Sequence, residues 1–384
     1  MVYRRDRSLY ENSQQKRILH IVGGMNRRGT EIMIMNLYRV IDRDKIQFDF
    51  VYFNNRENDF DVEIRRMGGR IFRVPSPREV GVIRFIHNLV KVIRENGPFS
   101  AVHAHTLHNI GLALLAARIA GVTCRIAHSH STKATEDTLI HKVYQIVMKL
   151  LIRFNATHLL ACGKDAGHFL FGKTFDKKGI VFPNAIDLSE YYCLNKEDAK
   201  FIRKMFGISE ETLIIGQVGA LKKVKNHKFS IAIARKLKDN GIDFKMMFVG
   251  DGEMRQELEQ QAVLEGVSDK ILFLGVRSDI PNLLNMFDVL IMPSIYEGLP
   301  VSLVEAQAAG TPCVVSDVIT PEVDLGLNLI SFVNLGDELD RWEYEILKQS
   351  QIQRPSKDII LRAFRKKGYD VVESVKSLRK IYSI

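Results

Sequence analysis

Two glutamates eight positions apart, Glu297 and Glu305, flank a Gly298-Leu299-Pro300 turn within Met292–Gly310. Pro300 suits the first turn of a helix and Gly310 its end, so the pattern predicts a helix over 300–309. Glu297 then sits in the loop ahead of it and Glu305 projects from its second turn. Unpaired amides near Gly298 and Leu299 would point toward any bound phosphate. One carboxylate can face a sugar and the other a ribose. The plainer alternative makes Glu297 a helix-start charge and Glu305 a surface residue.

A second group of charges lies in Gly219-Ala-Leu-Lys222-Lys223-Val-Lys225-Asn226-His227, between a strand and a helix. Its lysines act as point charges toward phosphate oxygens, and the helix beginning near Asn226 adds its positive end. A solvated basic loop is the alternative. Two turns, Val249-Gly250-Asp251-Gly252 and Gly275-Val276-Arg277-Ser278, each follow a strand, as does Gly23–Glu31 with Gly29 at its helix start. Any one of these alone is an ordinary connection. Their position matters because open α/β sheets bind ligands beyond the carboxyl ends of their strands. The histidines of His103-Ala-His105-Thr-Leu-His108 and His128-Ser-His130 cluster in the same kind of place. No carboxylate or cysteine completes a ligand set with His103, His105 and His108, so no metal site is expected.

The elements that position these residues alternate short β-branched runs with amphipathic stretches, which predicts βαβ units and parallel sheets. Strands are expected at 18–22, 48–52, 70–74, 101–105, 125–128 and 158–161, and again at 213–218, 245–249, 271–274, 289–292 and 313–316. A helix over 138–154 carries apolar residues at 139, 140, 143, 146, 147, 150, 151 and 154. It reads as packed on the core through them, with Lys142, Lys149 and Arg153 outward, or as lying on a membrane. The fold class is α/β with two Rossmann-like domains. Residues 1–190 form the first, with 1–16 a loose tail, and residues 191–365 the second, with a charged helix near Lys196–Phe206. The segment 366–384 is a helix returning to the first domain.

Residues 1–190 hold 29 Lys/Arg against 18 Asp/Glu, and the remainder 26 against 27, so the net charge of +10 sits in the first half. Such a field favours an anionic surface or ligand. Nucleic acid is not expected, since no motif or basic-aromatic stripe accompanies the charge. There is no run of 18 apolar residues and no apolar leader near the start. Cys124, Cys162, Cys193 and Cys313 are widely spaced, without a redox or zinc pair, which suits a reducing compartment.

The lysine loop ending Lys225-Asn226-His227, the Gly250-Asp-Gly turn, the Val181-Phe-Pro-Asn184 segment and the Glu297-to-Glu305 element together resemble the family-4 glycosyltransferases of GT-B fold. The likeness is strongest to bacterial capsular and exopolysaccharide sugar transferases and covers the chain from Lys16. It implies two Rossmann-like domains facing across a cleft, a nucleotide-sugar donor that is UDP-linked by preference, and no metal or other cofactor. It also implies retention of configuration and a lipid-linked or polysaccharide acceptor.

By resemblance, Lys225 binds donor phosphate, Glu305 holds the ribose hydroxyls, Glu297 faces the donor sugar and His128 lies beside that sugar. The backbone around Val276 and Arg277 contacts the base. Gly29, Lys222, Gly250, Gly298 and Leu299 complete the donor side, and His105 and His108 the acceptor side. A cytoplasmic location is expected from the cysteine pattern, and peripheral contact to an anionic membrane surface from the basic first half. The chain departs from the family pattern at Ala220, where an arginine is usual, and at Arg28, where a glycine is usual. Those departures keep open a nucleotide-sugar-binding protein without transfer activity, and an epimerase of the same fold is an enzymatic alternative.

Overall fold

The computed structural model describes residues 15–131, 138–192 and 203–384. Residues 1–14 of the expected tail, Cys193 and residues 196–202 of the expected charged helix lie outside them; Lys16 itself begins the first strand.

The chain forms two compact units, one of residues 1–185 and 371–384 and the other of residues 186–370. The sequence boundaries were drawn at 190/191 and 365/366. Backbone pairing accounts for the difference, because the Ile186 amide donates to the Tyr369 carbonyl at 3.0 Å and Ile186 bridges Asp370, joining the start of unit 2 to its end.

Unit 1 is a parallel sheet of seven strands: β1 (Lys16–Ile21), β2 (Ile46–Tyr52), β3 (Ile71–Arg73), β4 (Ala101–Ala104), β5 (Cys124–Ser129), β6 (His158–Ala161) and β7 (Gly179–Val181). Their order is β3-β2-β1-β4-β5-β6-β7. Unit 2 has six: β8 (Leu213–Val218), β9 (Phe244–Val249), β10 (Ile271–Gly275), β11 (Val289–Met292), β12 (Cys313–Ser316) and β13 (Ile330–Val333), in the order β10-β9-β8-β11-β12-β13. All pairs are parallel, and helices separate consecutive strands. Each sheet reverses its winding once, between β1 and β4 and between β8 and β11, and a crevice opens at such a point beyond the carboxyl ends.

The central strands are buried on both faces; Ile46–Tyr52 is buried along its whole length, its Gln47 and Asp49 hydrogen-bonded to Tyr38, Arg17 and Arg70. The helix Val371–Ile381 packs its Val371, Val375 and Leu378 into the unit 1 core beside Ile34, Tyr38 and Phe48. The strands that the sequence did not reveal, β7 and β13, are both sheet edges.

The helix Leu139–Asn155 corrects the expected orientation. Among its described side chains Met148, Ile152 and Asn155 are buried and Tyr144 and Leu151 pack partly buried on the core, whereas Val143, Ile146, Val147, Leu150 and Phe154 are exposed; the side chains of Leu139 and Ile140 lie outside those described. The sequence carries two apolar stripes there, and periodicity cannot tell which one the core takes.

Candidate active site

In unit 2 the loops after β8, β9, β10 and β11 are tied to one another. The Gly219 amide donates to the Val249 carbonyl at 2.9 Å, the Gly250 amide to Gly275 at 2.8 Å, and the Ile295 amide to Val224 at 2.9 Å. Gly250 is required at its position: its φ is +137° and a Cβ would stand 2.1 Å from the Gly219 carbonyl oxygen. The lysine loop closes in a short 3₁₀ turn, Lys223–Lys225, and Asn226 takes a left-handed φ of 55° before the helix His227–Asp239. Asparagine tolerates that conformation better than most residues.

At the winding reversal Lys225 and Glu297 meet, with Nζ and Oε1 2.6 Å apart. Ser294 donates to the same carboxylate at 2.8 Å, and Gln217 donates to the Lys225 carbonyl at 2.9 Å while accepting from Ser230. Read separately, the two charges are expected to face phosphate and sugar; the structure joins them. Around them Lys222 is exposed, Gly298 is open with nothing within 4 Å of a built Cβ, and Leu299 is half-buried. Val276 is exposed, and the Arg277 side chain is taken up by Asp279 at 2.6 Å.

The helix Val301–Ala308 starts after Pro300, which stands at its N-cap instead of inside its first turn, with no side-chain cap. Its amino end therefore keeps donors for an anion. Glu305 is part-buried on this helix. Burial pushes its carboxyl up to about 7, a hydrogen bond from Tyr191 opposes the rise, and Glu190 adds to it.

In unit 1 five histidines meet around the other reversal. His20 pairs in register with His103, so β1 and β4 present them side by side. His20 Nδ1 lies 3.1 Å from His105 Nε2, and His105 Nδ1 lies 2.9 Å from His130 Nε2. His103 Nε2 lies 3.1 Å from His128 Nδ1, and its Nδ1 is 2.9 Å from the Tyr382 hydroxyl. A neutral imidazole has one N–H. The chain His20–His105–His130 therefore spends two protons on its two bonds and keeps the third at one end.

Burial holds His20 and His130 down at about 3, with Asp49 opposing the drop at His20 and Asn184 at His130, and it holds His103, His105 and His128 well below the usual range. His128 is fully buried, whereas His105 and His130 are partly exposed.

Ring nitrogens of His20, His103 and His105, and of His105, His128 and His130, lie within 4.8 Å of one another, close enough to admit a cation. The sequence had weighed His108 in that set; it lies apart, in the 3₁₀ turn Leu107–Asn109, with its ring against Phe169. His20 was missed, although a histidine near the end of each of three adjoining strands would have been the signal. Tyr191 was missed because its partner Glu305 is remote in sequence, and Ser294 although it stands only three positions before Glu297.

Gly29 opens the helix Gly29–Val40 after an uncapped Arg28, and its loop is pinned by Asn54 donating to the Gly23 carbonyl at 2.8 Å and by the Arg27 amide donating to Asp59 at 3.0 Å. No helix among the described residues is long and apolar enough to cross a membrane.

Residues 27–190 match the model of "Glycosyltransferase Family 4", and residues 198–324 that of "Glycosyl transferases group 1". The putative glycosyltransferase EpsF of Bacillus subtilis is 44% identical over 376 residues, covering 97% of this chain and 98% of that one. The Escherichia coli UDP-Gal:alpha-D-GlcNAc-diphosphoundecaprenol alpha-1,3-galactosyltransferase is 29% identical over 75% of this chain and 78% of its own. Among solved structures, Anabaena HepE in complex with UDP superposes with a TM-score of 0.76 at 19% identity, covering 96% of this chain and 100% of that one, a likeness of fold.

Proposed function

The chain belongs to the family-4 glycosyltransferases of GT-B fold, and we propose that it transfers a sugar from a UDP-linked donor to a lipid-linked acceptor in cell-surface polysaccharide synthesis, with retention of configuration. The observation that carries the reading is the Lys225–Glu297 pair at the reversal of the unit 2 sheet, among four interlocked loops. A donor diphosphate takes Lys225 from Glu297, and the released carboxylate turns to the sugar hydroxyls. Amides near Gly298 and Leu299 share the charge of the departing diphosphate, the main electrostatic demand of the step. The exposed Lys222 supplements Lys225 where Ala220 offers no side chain. Glu305, with Tyr191 beside it, accepts from the ribose. The backbone at Val276 and Arg277 borders the base.

In unit 1, His105 and His130 are the partly exposed imidazoles of the histidine cluster, and buried His128 orients them from behind. The reaction needs no nucleophile from these residues, since the donor phosphate takes the acceptor proton. The GlcNAc-diphosphoundecaprenol in the name of the Escherichia coli relative supports a lipid diphosphate acceptor. The Staphylococcus aureus capsular polysaccharide biosynthesis glycosyltransferase CapH supports the polysaccharide setting.

The test is nucleotide release from a panel of UDP- and GDP-sugars, with membrane extract supplying acceptor. Wild type should release UDP from one donor, and Lys225→Ala should slow release by at least about a hundredfold, the scale of losing one preorganised charge contact in a transition state. Unchanged turnover in Lys225→Ala would remove the phosphate role, and release of GDP alone would change the donor.

A further inference from the structure

The helix Leu139–Asn155 contains no Asp or Glu. On its inner side Gly111 of the neighbouring helix Ile110–Ile119 lies so near that a Cβ there would meet the Met148 carbonyl at 2.8 Å. On the other side Val143, Ile146, Val147, Leu150 and Phe154 form one stripe and are between 45% and 69% exposed. A contiguous patch of large apolar side chains on a soluble surface marks a binding face.

Beside the stripe an apolar groove of about 270 Å³ opens between this helix and the helix Lys164–Phe171, floored by Leu159 and Leu170 and rimmed by Lys149 and Arg153. A lysine of this lining and a histidine outside it flank one aromatic ring. Lys149 Nζ stands 5.4 Å from the centre of the Phe169 ring, and the His108 ring lies 5.9 Å from that same ring. His108 is 4% exposed and its Nε2 has no hydrogen-bond partner. Burial holds both Lys149 and His108 below their usual ranges, so neither has a counter-charge that offsets its lost water. His108 follows the carboxyl end of β4, the end of the sheet at which the other histidines gather.

We propose that this groove seats the acceptor lipid: the hydrocarbon of a polyprenyl diphosphate lies between the two helices, and its phosphates meet Lys149 and Arg153. The assignment rests on the lipid-linked acceptor proposed above. A bilayer surface would need only the exposed stripe and exposed cations. An apolar groove of this volume, rimmed by a partly buried lysine and an arginine on a helix without an acid, fits a single amphiphile with an anionic head.

The test uses the full chain, a fluorescent farnesyl diphosphate as probe, and the variants Leu150→Glu and Lys149→Ala, each checked for an unchanged melting temperature. Wild type should bind the probe one to one, and each variant should bind it at least about tenfold more weakly, a loss of roughly 1.4 kcal/mol. Equal binding by wild type and both variants overturns the assignment. So does a wild type that ignores the probe but binds phosphatidylglycerol vesicles through Leu150, which makes the stripe a bilayer face, or a dimer that Leu150→Glu dissociates, which makes it a self-contact. A parallel assay separates this inference from the transferase reading, using a sugar diphosphate acceptor on a short alkyl chain and one on a long prenyl chain. If Leu150→Glu serves both as well as wild type does, the groove fails and lipid-linked transfer stands. If the probe binds as expected but no lipid acceptor is glycosylated, the groove stands and the acceptor reading falls.

Discussion

Glu305 changes charge within the ordinary working range, because burial has raised its carboxyl to about 7. A folded value above the unfolded one means that the contribution to stability is complete below about 4.5 and is lost as pH rises through 7. The free protein therefore favours the protonated form, whereas a ribose donating two hydroxyls favours the carboxylate. UDP affinity should rise between pH 6 and 8, by up to about tenfold per pH unit below 7, and Glu305→Gln should flatten the profile. Calorimetric titration at three pH values checks this; a wild-type affinity that stays level, or falls, would dismiss the ribose role. At this scale the sequence was informative where chemistry depends on local position. Lys225 and Glu297 each follow a strand, and their types suggested phosphate and sugar. Their ion pair and the Tyr191 contact to Glu305 depend on which elements adjoin, and no local pattern states that; the Ser294 contact to Glu297, three positions apart, is local.

Among the elements, the four loops of unit 2 act as one because their backbones bond to each other, and Gly250 is where two of them come nearest. Gly250→Ala should force the loops after β8 and β9 apart. The cost should be at least about 1–3 kcal/mol of strain, with UDP binding lost before the fold is. The expected result is a melting temperature a few degrees lower and an affinity weakened by tenfold or more; an alanine variant with native affinity would mean that the loops need not interlock. The central strands were readable because burial on both faces makes each a short run rich in apolar residues. The edges β7 and β13 were not, since Gly179–Val181 is a three-residue strand and Ile330–Val333 is only partly buried. For Leu139–Asn155 the period announced a helix correctly, but apolar residues on two sides left its inward face undetermined, and the side expected to pack is the one that faces solvent.

Over the whole molecule, histidine is divided very unequally: ten of the eleven lie in unit 1 and only His227 in unit 2. The five clustered ones are held neutral by burial, with folded values far below 6.5. A depressed value leaves stability complete above 6.5 and removes it as pH falls toward the folded value, by roughly 1.4 kcal/mol per pH unit for each such histidine. Unit 1 should therefore melt at markedly lower temperature at pH 5.5 than at pH 7.5. The single tryptophan, Trp342, is buried in unit 2 and reports that unit alone by fluorescence, while circular dichroism follows both. Two transitions drawn apart by acid, with the tryptophan signal the steadier, are expected; a common shift of both would contradict the division.

The helix Val371–Ile381 completes the unit 1 core although all of unit 2 precedes it in the chain. During synthesis the ribosome delivers residues 1–185 long before their last core-packing helix, and unit 2 is the first contiguous segment able to finish folding. The nascent amino-terminal sheet must wait with the seat for Val371, Val375 and Leu378 uncovered, which makes that interval the period when it is most open to misassembly and to chaperones.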